Sequence, residues 1–191
     1  MRWLTTAPVA LVLAGVGAAG TAGVAGAATG PVDRPASAAA CPTGWGSGGK
    51  SATESVSTPL KSVRTGQHTC YDRMVFDISG ASGKLGYHVG YVDEFHQDGS
   101  GEQIPVGGGA ILQIFVNAPS FDVATGKPSY AGRAGQSLPG VNLTGYKTFK
   151  DTKFGASFEG QTQIGLGVRA RLPFRVLQSG DKLTVDVAHT W

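Results

Sequence analysis

Apolar and polar positions alternate with a period of two through most of the chain beyond residue 50, the pattern of strands that bury one face. Met74, Phe76 and Ile78 fall on one side of a strand, with Val75 and Asp77 on the other. Tyr87, Val89 and Tyr91 repeat the period, and Ile111–Val116 forms a more continuously apolar strand. Leu60–Thr65, Val141–Lys150, Ser157–Val168, Pro173–Leu177 and Leu183–Ala188 read as further strands. Turn residues separate them at Gln97–Glu102, Gly132–Gly140, Gly155 and Gly180-Asp181. An amphipathic period of 3.6 persists nowhere for twelve residues. Eight or so short strands between frequent turns predict an all-β sandwich or barrel.

One strand has an echo. Asp72-Arg73-Met74-Val75-Phe76-Asp77-Ile78 matches Asp181-Lys182-Leu183-Thr184-Val185-Asp186-Val187 by residue type at six of seven positions. Each has an acid and a base at strand entry, three inward apolar positions, and an acid on the outer face near its end. The repetition is either the shared character of two strands of one kind or the mark of two pseudo-symmetric halves, with the strands in equivalent places in two packed sheets.

Composition changes the picture mainly at the N-terminus. Residues 1–28 run from Arg2 through Ala7-Pro8-Val9-Ala10-Leu11-Val12-Leu13 to small residues at Ala25-Gly26-Ala27-Ala28, without an acid, and so read as a cleavable signal peptide. Its many Gly, Ala and Thr residues and the lack of a following basic cluster argue against a retained span. The polar stretch Thr29–Pro35 separates the apolar core from Cys41 and argues against lipidation there. Residues 29–50, rich in Pro, Ala, Gly and Ser, read as a disordered linker, and 51–191 as the folded domain. Removing 1–28 takes one arginine and no acid, leaving 15 basic and 13 acidic residues, a net charge of +2 with no long basic run. That excludes a nucleic-acid footprint. Thirty glycines and 15% charged residues fit strands and turns better than helices. Cys41 and Cys70, the only cysteines, both lie in the exported part, which predicts a disulfide. On loop-entropy grounds such a bridge stabilises the fold by roughly 3–4 kcal/mol.

Chemistry is sparse. Gly155-Ala156-Ser157-Phe158-Glu159 has Glu where a nucleophile elbow needs its second glycine. His68, His88, His96 and His189 are dispersed, and the Asp93–Glu102 stretch puts His96 and Pro105 on positions a calcium loop gives to oxygen ligands. No metal site and no cofactor is predicted. Gly107-Gly108-Gly109 precedes a strand rather than a helix, so a bulge or tight turn explains it better than an anion cradle. Glu159, Asp72, Asp77 and Asp186 offer the carboxylates from which a glycosidase pair would be drawn.

The order of several short motifs resembles the AMIN-like domain of secreted bacterial proteins. They are Val63–His68, Tyr71–Asp77, Gly86–Val92, Asp98–Gly101, Phe158–Gly160, Ile164–Gly167, Pro173–Val176 and Val185–Val187, together spanning Leu60 to Ala188. The resemblance implies a β-sandwich of two similar antiparallel sheets. AMIN domains are non-catalytic modules that place amidases and secretion pores on the cell envelope, in part by contacting peptidoglycan. No amidase domain follows here, and the resemblance carries no catalytic residue over. The reading is therefore a secreted, extracellular, non-enzymatic binding module associated with the cell wall, whose partner is peptidoglycan or an envelope protein. After signal cleavage it has no membrane span. Candidate ligand residues are Tyr87 and Tyr91 for stacking, with Asp72, Arg73, Glu159 and Arg175 for polar contacts. Core packing competes for the two tyrosines, and a surface ion pair for Asp72 and Arg73. Two other readings stay open: a small secreted hydrolase acting on glycan or peptide, and a barrel carrying an apolar ligand among Phe115, Phe121, Phe149 and Phe154.

Overall fold

The computed structural model describes residues 40–42 and 44–191. The predicted signal peptide and the first part of the predicted linker lie outside the described residues. Nine strands follow in order: β1 (Lys50–Ala52), β2 (Ser62–Gln67), β3 (Tyr71–Asp77), β4 (Tyr87–Val92), β5 (Ala110–Val116), β6 (Phe149–Phe158), β7 (Gln161–Val168), β8 (Phe174–Ser179) and β9 (Lys182–Ala188). They form two antiparallel sheets, one ordered β1-β4-β5-β7-β6 and the other β2-β3-β9-β8. The architecture is the all-β sandwich that the alternation predicts. No helix among the described residues is long and apolar enough to cross a membrane.

The period-two pattern fixes which side of each strand meets the other sheet. Met74, Phe76 and Ile78 are fully buried, as are Leu183, Val185 and Val187. Val89, Leu112, Ile114, Val116, Ile164, Leu166 and Val168 come from the opposite sheet and join them in one core cluster.

The strand echo has a different basis from two equivalent positions in two sheets. β3 and β9 are neighbours in the same sheet, with Met74 opposite Val185 and Phe76 opposite Leu183. Antiparallel pairing sets the entry of each strand against the end of the other. Arg73, near the start of β3, therefore faces Asp186, near the end of β9, while Lys182 at the start of β9 faces Asp77 at the end of β3. A base early and an acid late on both strands is what two such cross-strand pairs require.

Several boundaries move from their predicted places, and the strand predicted over Ser157–Val168 is split by a turn at Glu159-Gly160 between β6 and β7. The segment read as linker through Lys50 enters the fold from Gly44 onward. The Gly46 carbonyl accepts the Phe174 amide at 2.9 Å, and Lys50 opens β1, with its ammonium 4.0 Å from the Phe174 ring centroid. Composition alone missed this because the partners are distant in sequence. The strand predicted over Val141–Lys150 is displaced as well: 141–148 is irregular, and β6 runs from Phe149 through Gly155, which lies at a bulge rather than a turn. A side chain at Gly155 would collide with Gln163 and the Phe95 ring, so glycine is needed there for packing.

Phe95 belongs to the β4–β5 connection, which folds over the outer face of the five-stranded sheet. Gln163 fixes it, accepting the Asp98 amide at 2.8 Å and donating to the His96 carbonyl at 2.8 Å. The Ile164-Gly165-Leu166-Gly167 alternation follows directly: Ile and Leu face the core, and the glycines leave room for Phe95 and the Gly107 carbonyl. Gly107-Gly108-Gly109 is likewise a close approach of backbones, since the Gly109 amide donates to Val168 and the Gly107 amide to Asp151, both at 2.8 Å. The middle of this sheet's outer face is thus covered by its own chain, while the corresponding face of the four-stranded sheet is the more open one, with partly or fully exposed outward side chains on β3 and β8 beside a largely buried β9.

β6 and β7 are joined by Glu159-Gly160, both with positive φ (47° and 78°), the conformation of a two-residue hairpin turn. A non-glycine residue there carries the strain of the left-handed region. Glu159→Gly is expected to raise stability by about 0.5–1 kcal/mol once glycine's larger unfolded-state entropy is counted. Chemical denaturation of the two proteins measures it; a destabilised variant would mean that the Glu159 side chain makes a contact that outweighs the strain.

Candidate ligand-binding face

The open face of the four-stranded sheet is built from the outward positions of β3, β9 and β8. One cross-strand row reads Gly66–Arg73–Asp186–Arg175, the next Arg64–Val75–Thr184–Leu177. Asp186 is fully buried although it points away from the core, because two arginines close over it. Arg73 donates through Nε at 2.6 Å and Nη2 at 2.8 Å, and Arg175 through Nε at 2.9 Å. The three contacts are charge-assisted hydrogen bonds, stronger than bonds between neutral groups. The same contact, first through hydrogen bonding, raises the pKa of Arg73. Two guanidiniums against one carboxylate leave a net charge of +1 at the surface, with each arginine side chain 28% exposed.

Aromatic rings cap this assembly. The Arg175 guanidinium lies 4.3 Å from the Trp45 ring centroid and 5.3 Å from that of Tyr71, and Arg73 lies 5.2 Å from Tyr71. Trp45 and Tyr71 are 5.6 Å apart, and His68 stacks on Tyr71 at 4.5 Å. Local sequence explains the meeting. Tyr71 has the same parity as Arg73 on β3, and the Cys41–Cys70 disulfide, with its Cα atoms 5.3 Å apart, draws the Trp45 segment against the start of that strand. The predicted disulfide is present and helps to build this face.

Of the six predicted ligand residues, only Arg73 and Arg175 come together. Asp72 faces inward. It is fully buried, and its Oδ2 accepts the amides of Thr148 at 2.6 Å and Phe149 at 3.1 Å, while Oδ1 meets His189 Nε2 at 3.1 Å. With both oxygens committed inside the fold it joins the two sheets, and its place among ligand contacts is corrected on that ground. Tyr87 and Tyr91 are half-buried against the core cluster. The Tyr91 hydroxyl donates to the Leu172 carbonyl at 2.8 Å and accepts its amide at 3.0 Å, and burial pushes the phenol pKa up. Glu159 is exposed, but on the β6–β7 hairpin of the other sheet.

The carboxylates and rings named for the rival chemistries lie in different surroundings among the described residues. Asp72 and Asp186 face opposite sides of one sheet, each enclosed by its own partners, while Asp77 is held by Ser79 and Lys182. Phe149 and Phe154 are core residues, whereas Phe115 lies on the face of β5 opposite Ile114 and Val116. Among the described residues, no group of three or more His, Cys, Asp or Glu side chains is placed to hold a metal ion.

Sequence reasoning missed Trp45, Tyr71 and the bridging role of Asp186. Strand parity was the available signal for the last two, since Tyr71 alternates in phase with Arg73, and Asp186 out of phase with Val185 and Val187. For Trp45 it was the four-residue spacing from a cysteine predicted to be bridged.

No curated protein and no solved structure matches this chain. The model of the AMIN-like domain matches residues 58–189, from just before β2 to just beyond β9. That span takes in eight of the nine strands and all of the arginine–carboxylate row, and the chain belongs to the AMIN-like domain family.

Proposed function

We propose that this domain is a secreted, non-catalytic binding module that engages peptidoglycan, or an envelope partner, through the open face of its four-stranded sheet. The observation that carries the reading is the Trp45–Tyr71–Arg73–Arg175 cluster around Asp186, on the more open face of the four-stranded sheet. Its chemistry suits a saccharide bearing acidic groups: rings for the apolar faces of sugars, guanidinium donors for carboxylates. Family membership across the sandwich supports an envelope setting, and the disulfide supports an oxidising compartment.

A single modest face with little net charge gives weak binding, on the order of micromolar or poorer, and only mild sensitivity to salt. Arg175→Gln tests the reading. Asp186 keeps the two hydrogen bonds from Arg73, so the fold survives with a small loss of stability. Retention on purified cell-wall sacculi should fall by roughly tenfold through loss of a charge-assisted contact. Retention equal to that of the wild type would move the binding site away from this face.

A further inference from the structure

At one end of the open face the two ends of the described chain form a cleft. It encloses about 270 Å³ between Pro42 and Trp45 on one side and Pro173, Ala188, Thr190 and Trp191 on the other. Both walls are anchored. The first is held by the disulfide and by the Gly46–Phe174 hydrogen bond. The second is pinned up to His189, whose amide donates to the Cys70 carbonyl at 2.9 Å and whose own carbonyl accepts from Arg169. Beyond that anchor Trp191 is 73% exposed, leaving an indole uncovered at the cleft rim.

Trp45 belongs to the cleft and to the arginine cluster at once. Arg175 donates only Nε to Asp186, and its two terminal nitrogens donate to no other group among the described residues. Arg73, by contrast, spends Nη2 on both Asp186 and the Tyr71 hydroxyl. The pair of unengaged Arg175 nitrogens is the half of the guanidinium fork that matches a carboxylate.

We propose that the Trp45–Trp191 cleft is a subsite for one ring of an acidic saccharide, whose carboxylate is read by the terminal nitrogens of Arg175. This deepens the function proposed above and rests on it for the setting. The cleft is smaller than the roughly 300–1,000 Å³ of sites for drug-sized ligands, so it takes a single ring rather than a chain segment. Indole and proline surfaces with one hydroxyl, from Thr190, match the apolar face and sparse polar edge of a pyranose. The residual positive charge beside Trp45 complements an acid. A proline-rich peptide would stack on the same rings but would leave Arg175 without its anion.

The test uses the full disulfide-bonded domain and follows the indole N–H signals of Trp45 and Trp191 by NMR during titration. The probes are N-acetylmuramic acid, which carries a carboxylate, N-acetylglucosamine, which does not, and a hexaproline peptide. The acidic sugar should shift both signals and bind about tenfold more tightly than the neutral one, the factor expected for one charge-assisted contact. Trp191→Ala should weaken the acidic sugar about tenfold with an unchanged thermal midpoint, because the exposed side chain supports no core packing. Unmoved indole signals, equal affinity for the two sugars, or shifts with hexaproline alone would each overturn the proposal. Sacculus binding separates the two readings. Wild type and Trp191→Ala retained equally would sink the cleft and leave the wall-binding module standing. Sugar binding at the indoles without sacculus retention would do the reverse.

Discussion

Asp72→Ala is expected to destabilise the domain by about 3–5 kcal/mol, because it orphans two buried amides at once. Thr148 and Phe149 are essentially inaccessible to water, and their amide hydrogens both go to Asp72 Oδ2. An unsatisfied buried donor costs about 1–3 kcal/mol, and an alanine side chain offers neither amide an acceptor. His189 Nε2 loses its partner in the same step, while Nδ1 keeps the Thr69 carbonyl. Asp72→Asn keeps one carbonyl oxygen in place and should recover about half of the loss. Urea unfolding with the disulfide intact measures the series. A cost below about 1 kcal/mol for the alanine variant would mean that water reaches these amides and the tie between β3 and β6 is dispensable.

Phe76→Ala should cost about 3–5 kcal/mol by a separate mechanism, lost transfer energy plus the cavity left between the sheets. The ring is fully buried near the end of β3, opposite Leu183 on β9 and Val63 on β2. Three neighbouring strands hold those walls by backbone hydrogen bonds, so the site has little freedom to collapse. Equilibrium unfolding again provides the check. A loss under about 1 kcal/mol would remove this face from the core and, with it, the sandwich packing derived from the alternation.

Much of the sandwich was legible because burial on one face of a strand imposes a period that survives in sequence. β3, β4, β5, β8 and β9 lie where alternation places them. β6 was not, because its pattern is broken by Gly155, whose lack of a side chain serves the Phe95 ring from a distant loop. β1 and Trp45 were hidden for a related reason: a Gly/Ser-rich stretch has no pattern of its own, and its order comes from Cys70 and Phe174.

The candidate site was legible only by halves. Arg73 and Arg175 were identifiable as outward residues, but what joins them is the cross-strand register that puts Asp186 between both. Register depends on turns and on the packing of whole sheets, and a single strand does not encode it. The same gap hid the meaning of the repeated strand, whose reversed charges record antiparallel neighbours rather than two equivalent halves. Asp72 shows the opposite failure. It is one residue from Arg73, yet the pleat sends it to the other face and into a structural role.

The proposed function is that of a disulfide-anchored face that binds cell wall without cutting it. Incubating the purified, disulfide-bonded protein with sacculi, then analysing pellet and supernatant of the same sample, tests this most directly. The account predicts protein in the pellet, released by only modest dilution, and a supernatant free of soluble muropeptides. Protein that stays in the supernatant would contradict the binding claim, and muropeptides released by the wild type but not by Glu159→Gln would contradict the non-catalytic one.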